Sequence, residues 1–161
     1  MKECDYDLVL DPGPEDLAQI DRGLHEFNLA HLGEHVIYDY HRLAIVARDV
    51  DERVVGGIHG ELVWEWLYIQ SLWVDPAWRG QGIGSQLVAQ IEAAAVSKGF
   101  CDSHLETTDF QALDFYLRQG YQVFGELEGK PAGVTWYYLK KHLPGAVSRI
   151  RAWTERELKC N

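Results

Sequence analysis

Arg79-Gly80-Gln81-Gly82-Ile83-Gly84-Ser85 separates two segments of different periodicity. Before it lies an apolar and aromatic run, Leu67 to Val74, that reads as a strand. After it, Ile83, Leu87, Ile91 and Ala94 recur at helical spacing. A helix therefore opens inside the glycines. Its first-turn N–H groups have no intrahelical acceptor, and the peptide dipoles place about half a positive charge at that end. Glycine lets a ligand approach the backbone with no Cβ in the way. Strand, glycine-bearing turn and helix N-terminus together predict a cradle for a pyrophosphate. A plain strand-to-helix turn needs one glycine, whereas three stand here at alternate positions.

Two common phosphate motifs do not fit. A P-loop requires Lys directly after its last glycine, and Ser85 follows Gly84. A dinucleotide fingerprint begun at Gly80 requires glycine at position 85. Its acidic residue belongs at the end of the next strand, and Asp102 falls where that strand begins.

The pattern Arg-x-x-Gly-x-Gly over Arg79 to Gly84 resembles motif A of the GNAT acyltransferases, the Gcn-related N-acetyltransferase superfamily. Downstream, Ala112-Leu113-Asp114-Phe115-Tyr116-Leu117-Arg118-Gln119-Gly120-Tyr121 is similar to that superfamily's Ala-x-x-Phe-Tyr-x-x-x-Gly-Phe segment. One long helix, a short strand and a loop separate the two, in the family's order, and the resemblance covers residues 42–143. Asp109 departs from it: many relatives carry Asn there. An acid is unhelpful beside a pyrophosphate, so Asp109 is expected to cap the following helix.

The resemblance implies an α/β (α+β) fold with a mixed, mostly antiparallel sheet of six to seven strands, flanked by helices and splayed at an acetyl-CoA site. It implies an N-acetyltransferase domain over residues 1–143. Residues 144–161 lie beyond the family's last strand, and their apolar stripe predicts a short appended helix. Leu72, Trp73 and Val74 would then offer backbone groups to the pantetheine arm, one of them polarising the thioester carbonyl. Gly80, Gln81, Gly82, Ile83, Gly84 and Ser85 would hold the pyrophosphate, Arg79 would add a charge-assisted phosphate contact, and Phe115 would lie against the cofactor. Tyr116 carries over as the acid that protonates the departing sulfur.

Acetyl transfer to an amine poses a further problem. An amine of pKa ~10.4 is neutral in only about one molecule in 2,500 at pH 7. Glu106, at the C-terminal end of the strand after the long helix, is the first candidate for the proton acceptor. Glu65, early in the central strand, would act through a water or line the acceptor site, and a site with no dedicated base stays open. Tyr68 stands near the position where some relatives carry a catalytic Glu. With Trp64, Trp66 and Trp73 it crowds one strand, and aromatics there would stack on a cationic acceptor. Phe27 and Tyr38 are further pocket candidates.

The chain of 161 residues has one-domain length, and 47% hydrophobic composition supplies a core. Its net charge of −10 repels nucleic acid and suits a cationic substrate. No signal region or membrane-length apolar run is seen. Cys4, Cys101 and Cys160 show no Cys-x-x-Cys spacing, and His31 and His35 lack a third ligand, so no metal is expected and the protein reads as cytoplasmic. The expected acceptor is a small-molecule amine, attacked directly in a ternary complex. A protein N-terminal or lysine acetyltransferase and a non-catalytic acyl-CoA sensor are the alternatives, and a homodimer is compatible with the tail.

Along the chain, strands are expected at Tyr6 to Leu10, Leu43 to Ala47, Val54 to Val63, Trp64 to Val74, around Leu105, Tyr121 to Leu127 and Val134 to Leu143. Helices are expected around Leu17 to Phe27, over 82–98 and over Gln111 to Gln119. The strand before the glycines, apolar on both faces, is expected to be central.

Overall fold

The glycine stretch joins a strand to a helix in the computed structural model, which describes residues 6–32 and 41–145. Contacts divide the chain into two compact units, Met1–Ile37 and Tyr38–Asn161. In the first, α1 spans Pro14–Leu32, with Glu15 and Asp16 in its first turn where the helix dipole favours acids. Near its end the His31 imidazole bonds the Phe27 carbonyl at 2.9 Å. Tyr6 to Leu10 forms no strand, contrary to expectation. Alternation supplies a face, but a strand exists only where a ladder partner takes its backbone groups. Tyr38, His35, Cys4, Cys160 and the expected appended helix beyond Gly145 lie outside the described residues.

The second unit holds β1 (His41–Arg48), β2 (Val54–Val63), β3 (Trp66–Val74), α2 (Ile83–Ser97), β4 (Asp102–Thr108), α3 (Leu113–Arg118), β5 (Gln122–Glu128) and β6 (Thr135–His142). They build a six-stranded sheet in the order β1-β2-β3-β4-β6-β5. Only β3 and β4 run parallel, and the connection between them carries α2. Leu87, Val88, Ile91 and Ala95 of α2 pack with Leu62, Leu67, Ile69, Leu105 and Leu139 of the sheet in one buried cluster. Each large aliphatic side chain buried there contributes about 1.5–3 kcal/mol. This cluster clamps α2, and with it the glycine turn, against the middle of the sheet.

β3 is central, but it begins at Trp66. Trp64 and Glu65 form the two-residue turn from β2, with φ of 54° and 65°. Positive φ at both positions matches the primed turns whose twist suits a hairpin. Nor is β3 buried on both faces along its length: Leu67 and Ile69 are buried, whereas Gln70, Ser71 and Trp73 are exposed.

The cause is a fork in the sheet. The β3–β4 ladder runs from Trp66 opposite Asp102 to Ile69 opposite Leu105 and stops there. At the same level the β2–β3 register jumps, His59 facing Ser71 and Gly60 facing Ile69, so Gln70 is an extra residue in β3. Such a bulge bends its strand and increases the local twist. Gly60 admits it, because a Cβ there would lie 2.3 Å from the Tyr68 carbonyl oxygen. Beyond the bulge β3 stays paired with β2 as far as Val74, while β4 stays paired with β6 as far as Thr108. The two strands part because each is held by its other neighbour.

No described helix is long and apolar enough to cross a membrane.

Candidate active site

A cleft of about 1000 Å³ occupies the fork. The parted half of β3, with Leu72, Trp73 and Val74, forms one wall, and Glu106 and Thr107 of β4 form the other. The glycine turn closes one end, contributing Arg79, Gly80, Gly82, Ile83, Gly84 and Ser85, and α3 contributes Phe115 and Tyr116. The two sequence motifs therefore meet across one space.

At the turn, Gly82 is the N-cap of α2 with φ 81°, and no side chain caps the helix. The first helical bond is Gln86 N–H to the Gly82 carbonyl at 3.1 Å, so the N–H groups of the preceding turn point to the cleft end without an intrahelical acceptor. A Cβ on Gly82 would meet nothing nearer than the Gln86 side chain at 3.9 Å, so it is the backbone conformation that requires glycine. Gly84 serves packing instead: its Cβ would touch the Phe115 ring at 3.4 Å and Val74 at 3.8 Å. Arg79 Nε donates to the Val74 carbonyl at 3.0 Å and ties the turn to the end of β3. Ser85 Oγ accepts from Gln119 Nε2 at 3.1 Å, linking α2 to the chain that ends α3. This uncapped, cation-bordered helix end, with no acid in its first turn, fits a pyrophosphate.

Tyr116 is buried, its ring edge-on to Phe115 at 5.1 Å and to Tyr121 at 5.8 Å. Burial pushes its phenol up to about 12, so the hydroxyl keeps its proton at neutral pH. Tyr121 behind it is raised further by burial and then by Glu92, and its hydroxyl shares a 2.9 Å hydrogen bond with Ser103. Glu92 also pairs with Lys141 at 2.7 Å, so the polar groups behind Tyr116 are satisfied.

Glu106 lies on the sheet face that carries Tyr68 and His104. The Tyr68 phenol is raised first by burial and then by the nearby Glu106 carboxylate. The His104 imidazole is lowered by burial, with Glu106 pulling the other way.

Other expected residues stand elsewhere. Tyr68 and Gln81 do not line the cleft, and Glu65 sits in the β2–β3 turn, at the opposite end of β3. At about 3.3 Å per residue it is more than ~15 Å along the strand from the parted half. Glu65 as an early strand residue is thus corrected: Val63 already pairs with Trp66 across the turn. Phe27 belongs to the first unit, where its ring lies 4.0 Å from that of His31. Asp109 does not cap α3, whose N-cap is Ala112 without a side-chain bond. Its carboxylate instead accepts from Thr135 N at 3.2 Å and fastens the β4–α3 loop to β6. Cleft residues that sequence reasoning missed include Gln70, Ser71, Trp78, Thr107, Gln111 and Arg118. Trp78, Gln111 and Arg118 adjoin or fall within the two motifs, which was the available signal. Gln70 and Ser71 face the cleft only because of the bulge.

Comparisons with known proteins bear on the family and the fold. The model described as the acetyltransferase (GNAT) family matches residues 14–121. Over 91 residues the chain is 43% identical to a blasticidin-S acetyltransferase of Streptomyces morookaense, covering 56% of this chain and 67% of that one. Over 65 residues it is 35% identical to a thialysine N-epsilon-acetyltransferase of Bos taurus, covering 39% of this chain and 38% of that one. A crystal structure of an acetyltransferase from Bacillus cereus superposes with a TM-score of 0.81 at 28% identity, covering 85% of this chain and 98% of that one.

Proposed function

The chain belongs to the GNAT acetyltransferase family and is an acetyl-CoA-dependent N-acetyltransferase, and on that premise we propose that it acetylates a primary amine of a small molecule by direct attack in a ternary complex. The observation that carries the reading is the continuity of the cleft, from the glycine turn at one end to Glu106 and Tyr116 along its walls. A base, an acid and an anion cradle share one space.

In this reading the N–H groups at the start of α2, from Gly82 to Ser85, hold the pyrophosphate, with Arg79 adding charge. The open edge of β3 at Leu72, Trp73 and Val74 takes the pantetheine arm as a strand takes a partner, and one N–H there polarises the reacting carbonyl. Phe115 keeps that end of the cleft apolar. Acetyl-CoA supplies a thioester carbonyl and a thiolate leaving group. Glu106 takes the proton that the ammonium must lose. Tyr116 holds its proton at Oη and donates it toward the leaving sulfur. A phenol near 12 is a weaker acid than a thiol near ~8.5, so its contribution is a hydrogen bond to the charge developing on the leaving thiolate.

Two further facts favour a small cationic acceptor. The relatives named for blasticidin-S and thialysine act on small-molecule amines, and the net charge of −10 raises the local concentration of cations. The test is thiol release from acetyl-CoA across small amines, amine-bearing antibiotics and peptides with free N-termini or lysines. Small amines are expected to turn over at least tenfold faster, by kcat/KM. Faster turnover of peptides overturns the assignment, and thiol release with none of them overturns the enzyme's proposed substrate class.

A further inference from the structure

Tyr68 is the last residue on its face of β3 before the fork, and Glu106 is the first on the same face of β4 beyond it. The ladder that joins the strands ends with Tyr68 opposite His104 and Ile69 opposite Leu105. Parallel register stacks the Tyr68 ring on the His104 imidazole, centroids 4.6 Å apart and planes within 6°. The Trp66 ring meets His104 edge-on at 5.8 Å. Strand side chains lean along the strand, and a phenol held flat in this way extends toward Glu106, the next residue on that face of β4; burial and then that carboxylate raise the phenol.

We propose that Tyr68 is a positioning residue: its hydroxyl bridges the root of the fork and holds one oxygen of Glu106, leaving the other to face the cleft and receive the proton of the amine. The role rests on the reading of Glu106 as the base. The other groups of this face are consistent with it. Glu61 of β2 stands opposite Tyr68 and pairs with Arg42 of β1 at 3.8 Å, which holds that cation on the Glu61 side. Tyr138 of β6 stands opposite Glu106, and Lys140 of β6 opposite His104. Burial lowers the His104 imidazole, so at neutral pH it is an uncharged platform under the Tyr68 ring, not an ion partner competing for the carboxylate. The tyrosine at this position thereby acts on the base across the fork.

Tyr68→Phe keeps the ring and the stack and removes only the hydroxyl. Its kcat is expected to fall about tenfold with KM for acetyl-CoA unchanged. The acidic limb of its kcat/KM profile should move to higher pH, because a donor to the charged carboxylate has been lost. A readout without turnover is the NMR titration of the Tyr68 ring in the free protein. In Glu106→Gln the Tyr68 ionisation should fall back toward that of an ordinary tyrosine. Loss of the acidic limb in Glu106→Gln together with an unmoved limb in Tyr68→Phe overturns the positioning role and leaves the base standing. A limb that survives Glu106→Gln overturns the base itself. A Tyr68 titration indifferent to Glu106→Gln overturns the contact on which the proposal depends.

Discussion

From Trp66 to Ile69, β3 pairs with β4 rung by rung; from Gln70 to Val74 it keeps β2 and leaves β4. Apolar residues stand in both halves, Leu67 and Ile69 in one and Leu72 and Val74 in the other, although the parted half also holds Gln70 and Ser71. The difference lies in the backbone. In the paired half its polar groups are satisfied within the sheet, and the side chains of one face go to the core under α2. In the parted half the edge toward β4 is unpaired with that strand, and its residues become cleft wall. One inserted residue, opposite a glycine, separates a strand segment paired on both edges from one that borders a cleft.

The largest effect is expected at Tyr116 of α3, which lines the cleft that the parted half borders. Tyr116→Phe retains the buried ring, so kcat should fall by about 10²–10⁴ with acetyl-CoA affinity nearly unchanged. Were KM for acetyl-CoA to rise while kcat held, the hydroxyl would only position the ligand; were neither to move, Tyr116 would be a core aromatic and nothing more.

Gly60→Ala attacks the boundary between the halves. Its Cβ cannot coexist with the Tyr68 carbonyl at 2.3 Å, so the bulge must shift, at about 1–3 kcal/mol of stability. Denaturation and acetyl-CoA titration should both register the change. Native stability and native affinity together would show that the fork does not depend on this glycine.

The cradle is the next target. Gly82→Val forces a β-branched residue to φ 81°, where relaxation turns the first N–H groups of α2 away. Acetyl-CoA binding should weaken tenfold or more, about 1.4 kcal/mol. Calorimetric titration at wild-type affinity, in a folded variant, would remove the cradle from the site.

The smallest effect is expected at the paired end, where Asp102 meets His142 at 2.9 Å on the surface. Asp102→Asn should change stability by no more than about 1 kcal/mol and leave kcat untouched. A turnover defect there would mean that the paired half also tunes the site, and the contrast between the halves would blur.

Much of this was legible without coordinates. Motif order placed the glycine turn between strand and helix, and put Tyr116 on a short helix that returns to it. Helical spacing found α2 and α3 to within a residue or two of their ends. The misreadings have physical causes. Tyr6 to Leu10 alternates but forms no strand, because alternation specifies a face without specifying a neighbour. Glu65 looked like strand because Trp64 and Trp66 flank it, yet both Trp64 and Glu65 adopt positive φ. Such conformations are unusual for these residue types and are imposed by pairing on either side of the turn.

Local chemistry in the sequence determined most of the elements, the uncapped helix end after the glycines and the family, because each depends on residues close together in the chain. Where β3 and β4 stop pairing was decided only in three dimensions. It depends on Gly60 against the Tyr68 carbonyl, on Gln70 as an unmatched residue, and on β2 and β6 pulling the strands apart. The placement of Tyr68 and Glu106 on one face, on either side of the fork, has the same origin. Their strands are joined through α2, and only a parallel ladder ending at Ile69 and Leu105 sets a phenol beside that carboxylate.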